Sequence, residues 1–189
     1  MKNDRGLLIP DKYNTGPDPN VKLTKVKAGG PDETFSVGEI KFVRADRYGA
    51  GHILLDNYYF QNAPAEVTVE NFDFSEYYID FVDYHQLEKD RTLIFKNCKF
   101  GNFNAYRVFN EHAKLEFYDC EFTSAHGSHM KFERCKFHVF KGDAMNPFQD
   151  VDVKDSFYDI IGHPDSEGSH LDGFQIFGRE EHRLQERKN

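Results

Sequence analysis

Asp143 and Asp172 are the residues of this chain with the clearest capacity for chemistry. Each sits in a short Asp-bearing segment, GDAMN at 142–146 and HLDGFQIFG at 170–178. Stacked on neighbouring strands, two such carboxylates lie roughly 5 Å apart, close to the separation of a retaining glycosidase pair. Like charges that close raise one pKa, which is what a general acid needs. The alternatives are ligand or cation binding, or plain turn chemistry in which each carboxylate accepts backbone N–H bonds at a strand entry. His170 precedes Asp172 by two positions, so on a strand both face the same side, and His170 is a candidate base or hydroxyl ligand. Arg107 is a candidate partner for Asp143 or for a uronate carboxylate, against the simpler reading of a surface ion pair.

These residues need a scaffold, and the sequence supplies one in five copies. The stretches 66–74 (EVTVENFDF), 92–100 (TLIFKNCKF), 114–122 (KLEFYDCEF), 129–137 (HMKFERCKF) and 150–158 (DVDVKDSFY) share one nine-residue pattern. Positions two, four and nine are apolar. Alternation at two and four is strand-like, because side chains on a strand point to opposite faces with period two. The alternation slips at position six, which predicts a bend. Asn71, Asn97, Asp119 and Asp155 occupy that position, and Asn and Asp tolerate the left-handed conformation best among residues other than glycine. Arg134 breaks the pattern there. Position seven is Phe72, Cys98, Cys120, Cys135 and Ser156, so all three cysteines read as buried free thiols in one ladder.

Position seven recurs at spacings of 26 (72 to 98), 22 (98 to 120), 15 (120 to 135) and 21 (135 to 156). A period of this size predicts a solenoid, here a parallel β-helix, since the leucine-rich signature of the main competitor is absent. Its function then lies in side chains stacked in columns across coils. Counting back eight residues from position two of the repeat gives a third strand. That register aligns 106–110 with 142–146 and places His85, Arg107, Asp143 and Asp172 in one column. The 15-residue coil is expected to be too short to hold this strand in full.

The remaining features bound the answer. One domain is the expectation for 189 residues, and a mean hydropathy of −0.72 suits a thin, elongated core. A net charge of −8 argues against nucleic acid and anionic membrane as partners. There is no run long enough to span a bilayer and no secretory apolar region in MKNDRGLLIP. Residues 1–60, which lack the repeat and carry Pro10, Pro17, Pro19 and Pro31, read as an N-terminal cap with an irregular first coil. Residues 61–178 are the solenoid, and 179–189 a charged tail. His126 and His129 form an H-x-x-H that would bind metal only if ligands converged from other coils, so no metal site is assigned. Asp165 and Glu167 lie in an acidic loop that could take Ca²⁺. Tyr77, Tyr78, Tyr84 and Tyr106 are candidate platforms for sugar rings.

The segments 142–160 and 169–178 resemble right-handed β-helix proteins of the pectate-lyase-like superfamily, which read G-D-G-I-K-P and then S-H-x-D-G-I-Q. The stretch 9–24 (IPDKYNTGPDPNVKLT) resembles the N-T-G…L-T opening of bacterial and phage members, several of them tail proteins. Here Ala144, Asn146 and Phe174 replace the usual Gly, Lys and Ile. The W-x-D-H of pectate lyases is excluded because the chain has no Trp, and the polygalacturonase and alginate-epimerase signatures are absent too. The resemblance implies an all-β, right-handed parallel β-helix with an irregular N-terminal cap. It implies an extracellular or virion-associated protein that binds an extracellular polysaccharide, with cleavage as lyase or hydrolase a candidate activity that the motifs specify only weakly. The other expectation is a non-catalytic structural or receptor-binding module. Asp143, Asp172 and His170 are then the expected catalytic set. Arg107, His85 and Gln175 would bind substrate, although the place of Gln175 in the motif also suits a buried structural role. By analogy with phage β-helices, homo-oligomers are expected to form through the C-terminal end.

Overall fold

The computed structural model describes residues 9–56, 61–82, 88–105, 112–139, 142–147, 149–160 and 173–174. They form a parallel β-solenoid of about four turns, with no α-helix. The N-terminal part contributes β1 (Thr24–Lys25), β2 (Thr34–Val37), β3 (Ile40–Arg44) and β4 (His52–Asp56). The coils then run β5 (Glu66–Glu70) and β6 (Phe72–Val82), β7 (Arg91–Lys96) and β8 (Lys99–Ala105), β9 (Ala113–Tyr118), β10 (Glu121–Phe122) and β11 (Ser124–Gly127). β12 (Met130–Glu133), β13 (Lys136–Val139), β14 (Met145–Pro147), β15 (Val151–Lys154) and β16 (Phe157–Ile160) complete them.

The first half of each nonapeptide builds one sheet, ordered β15-β12-β9-β7-β5. Its register matches repeat to repeat: Val69, Phe95, Phe117, Phe132 and Val153 lie level. The turn follows at position six. Asn71, Asn97, Asp119, Arg134 and Asp155 all have positive φ, between 49° and 65°. Arg134 adopts the conformation without the usual side chain, and its guanidinium grips the Asp119 carboxylate with two bonds of 2.7 and 2.8 Å. One coil pair away, the Asn97 side-chain amide donates to Asn71 Oδ1 at 2.5 Å.

Beyond the turn the chain enters an 11-stranded sheet that wraps around a corner. Its first flank continues the ladder Phe74, Phe100, Phe122, Phe137 and Tyr158, whose successive rings stack at 4.8–5.3 Å. Phe95, Phe117 and Phe132 form a second stack at 5.3 and 4.9 Å, meeting the first edge-on. Each buried ring is worth roughly 1.5–3 kcal/mol by area, and each ring pair about 0.5–1.5 kcal/mol more. The thiols of Cys98, Cys120 and Cys135 are fully buried, and each S–H donates to the position-four carbonyl of the previous coil, at 3.6, 3.5 and 3.4 Å. Burial among one another pushes the Cys120 thiol up.

The second flank is the third strand of each coil, and its register differs from the one obtained by counting back eight residues. Met145 pairs with Ala125 and Ala125 with Phe103, where that count put Phe109. The 15-residue coil does hold this strand: β11 spans Ser124–Gly127. The shift has a physical source: the third strand stands 12 residues before position two of the next repeat in one coil (103 to 115), 5 in the next (125 to 130) and 6 in the one after (145 to 151), so no constant offset exists. A bulge adds a further offset in the first coil. In β6 three residues, Ser75–Tyr77, separate Phe74 from Tyr78, whereas Gly101 alone separates Phe100 from Asn102. The two strands are out of step by this bulge. Gly101 accommodates it, because a Cβ there would stand 2.8–2.9 Å from the carbonyl oxygens of Tyr77 and Ser75.

The N-terminal segment crosses the coils along the turn ridge. Gly16 N–H donates to the Arg134 carbonyl, Asp18 N–H to the Asn97 side chain, and Thr24 N–H to the Asn71 carbonyl. β1 then joins β6 in parallel. β2, β3 and β4 form an antiparallel meander whose last strand pairs in parallel with β6. Parallel stacking therefore extends upstream of residue 61.

Candidate functional site

The three outward faces of the solenoid differ in chemistry. On the position-two-to-five sheet and on the first flank, outward side chains pair as opposite charges: Lys99 with Glu121 at 2.8 Å, Lys25 with Glu76 at 2.6 Å and Lys131 with Glu133 at 3.8 Å. Such solvated pairs contribute weakly, at about 0–1 kcal/mol each. The second flank reads differently. Its inward column is Ile53, Ile79, Phe103, Ala125 and Met145, all fully buried. Alternation then turns two columns outward: His52, Tyr78, Asn102 and Ser124, and beside them Leu54, Asp80, Asn104, His126 and Asn146. The second-flank segments 52–55, 78–81, 102–105, 124–127 and 145–147 contain no Lys or Arg.

These side chains are cross-linked from coil to coil. The His52 and Tyr78 rings stack at 4.5 Å and 13°. His52 Nδ1 lies 3.4 Å from Asp80 Oδ2. Tyr78 shares a side-chain hydrogen bond with Asn104, and burial together with Asp80 raises the phenol pKa. The Ser124 hydroxyl donates to Asn102 Oδ1 at 2.5 Å. His126 Nδ1 accepts the backbone N–H of Asn146 at 3.1 Å, which leaves the ring proton of neutral His126 on Nε2. Burial lowers the His126 pKa, and the nearby Asp143 carboxylate opposes that shift. The result is a ribbon of amide, hydroxyl, phenol and imidazole groups, partly sheltered and repeated at the coil spacing of about 4.8 Å.

Asp143 is half-buried just before β14, beside His126, and so belongs to this flank. His85, Arg107, His170, Asp172 and Gln175, together with Tyr84, Tyr106, Asp165 and Glu167, lie outside the described residues. Of the remaining tyrosines, Tyr78 is on the flank, whereas the Tyr77 hydroxyl is tied to the backbone of Ala28 and Val26. His126 and His129 do not act as a pair: His129 turns to Asp150, with Nδ1 3.3 Å from Oδ2. Among the described residues no three His, Cys, Asp or Glu side chains converge as a metal site. Asp80, Asn102, Asn104 and Ser124 went unread in the sequence, although Asn-x-Asn around Phe103 and Ser-x-His around Ala125 carry the alternation that marks them.

A cleft of about 520 Å³ lies between the N-terminal segment and the turn ridge, lined in part by Asp18, Glu70, Asn71, Asn97 and Asp119. Its polar groups are largely committed to each other: Asn97 to Asn71 and Asp18, and Asp119 to Arg134. No family model matches the chain, and no curated protein or solved structure gives a significant match.

Proposed function

We propose that this solenoid binds a saccharide chain laid along its second flank, parallel to the solenoid axis. The observation that carries the reading is the contrast between faces. Two faces carry Lys–Glu ion pairs, and the third carries a ladder of amide, hydroxyl, imidazole and carboxylate groups beside a stacked aromatic pair. Hydroxyl-rich ligands are oriented by a few placed amide, hydroxyl and imidazole groups against an aromatic surface. The column Asp80, Asn104, His126 and Asn146 offers one such residue per coil, so successive sugar units would meet equivalent partners.

Cleavage is the finer part of the proposal, and it rests on Asp143 beside His126. In this reading Asp143 is the acid, and the expected partners Asp172 and His170 complete the set. Isothermal titration of the folded protein with a panel of oligosaccharides tests binding. Affinity is expected to rise with chain length up to about four units, one per coil at about 4.8 Å, and then to level off. Release of new reducing ends by the unmodified chain but not by Asp143→Asn would establish cleavage, and the absence of absorbance from unsaturated uronates would mark it as hydrolysis. Binding without turnover on a broad panel would leave a non-catalytic recognition module. Failure of the folded protein to bind any member would refute the saccharide reading.

A further inference from the structure

We infer that the ligand of the second flank is an uncharged or amino-bearing saccharide rather than a uronate polymer. The inference rests on the saccharide reading above and narrows it by charge. The only formal charges on the described side chains of this flank that do not depend on a histidine are the carboxylates of Asp80 and Asp143. No Lys or Arg stands among them, in contrast to the outward faces that carry Lys25, Lys99 and Lys131. Recognition of a uronate calls for a cation, most often a guanidinium gripping the carboxylate with two bonds.

The imidazoles do not supply that cation. His126 has its Nδ1 lone pair engaged by the Asn146 N–H, so protonation there would break a backbone bond, and burial opposes the charge as well. His52 already faces Asp80 at 3.4 Å, so a positive charge on it would be matched within the protein. The whole chain adds to this, because its net charge of −8 repels a polyanion during approach. The flank instead offers amide oxygens, a hydroxyl and carboxylates, which accept bonds from hydroxyl or ammonium groups.

The test is a titration of the full chain with three matched series: oligomers of N-acetylglucosamine, their deacetylated amino counterparts, and oligomers of galacturonate. At low salt the galacturonate series is expected to bind at least about tenfold more weakly than the better of the other two, since like-charge juxtaposition carries a cost of that order or more. The gap should narrow in 1 M salt, where the screening length falls to about 3 Å. It should narrow also in Asp143→Asn. If that variant does not fold, the salt series on the unmodified chain decides alone. Galacturonate binding as tight as the others, or tighter, overturns the inference and leaves the saccharide reading standing. Binding of none of the three by folded protein overturns both.

Discussion

His126 accepts a hydrogen bond at Nδ1 from the backbone N–H of Asn146, the residue level with it on the next coil, at 3.1 Å. A side chain thus accepts a hydrogen bond from a backbone N–H of the neighbouring strand, which ties the imidazole to that strand. The tautomer of neutral His126 follows from this bond, while burial lowers its basicity and strand alternation turns it outward.

Burial of His126 sets a pH dependence. The folded pKa of His126 lies below its ordinary 6.5, chiefly because of burial. The unfolded chain therefore binds more protons than the folded one just below pH 6.5, and stability falls as the pH drops through that window toward the folded value. In His126→Gln this contribution disappears. Urea midpoints measured at pH 7.5 and at pH 5 should fall less in the variant than in the unmodified chain. An equal or larger fall would contradict the assignment.

Tyr158 ends a ladder that is otherwise phenylalanine, stacked on Phe137 at 4.8 Å. Its hydroxyl is buried and finds no hydrogen-bond partner among the described residues. An unpaired buried hydroxyl costs about 1–3 kcal/mol. Tyr158→Phe should therefore raise stability by about 1 kcal/mol and raise the thermal midpoint. A clear loss of stability would show that the hydroxyl is satisfied in solution.

Two glycines with positive φ should respond differently to alanine. At Gly127, φ 132°, a Cβ would stand 2.5 Å from the carbonyl carbon of Ala105 on the adjacent coil. At Gly38, φ 59°, nothing lies within 4 Å. Gly38→Ala should cost about 1 kcal/mol, the penalty of a left-handed alanine. Gly127→Ala adds a backbone clash between coils and should exceed about 3 kcal/mol. Urea unfolding of the pair measures the difference, and similar losses would contradict the close packing of β8 on β11.

The coils were legible in the sequence because their determinants are local and repeated. Position six needs a left-handed residue, and four of five copies show Asn or Asp there; Arg134 adopts φ 54° all the same, tied down by Asp119. The third strand was legible as a strand but not in register. The bulge at Ser75–Tyr77 and the unequal coil lengths leave no constant offset to count from. The path of the N-terminal segment was hidden for a different reason. Its partners, Arg134, Asn97 and Asn71, come from three coils distant in sequence. Asp143 and Tyr78 were singled out in the sequence, and both stand on the flank to which binding is assigned in the proposal. Asn102, Asn104 and Ser124 gave no chemical signal of their own, since single amides and hydroxyls become a site only when stacking aligns them.

The most direct test of the saccharide-binding flank compares two single substitutions on different faces. Asn104→Ala removes an amide from the outward column, and Lys131→Ala removes a charge from the opposite sheet, where it contacts Tyr118 and Glu133. Titration of both folded variants with the tightest-binding neutral oligosaccharide should show Asn104→Ala weakened at least about fivefold, the worth of one hydrogen bond of about 1 kcal/mol. Lys131→Ala should match the unmodified chain. Unchanged affinity in Asn104→Ala, or a loss confined to Lys131→Ala, would contradict the placement of the site on the second flank.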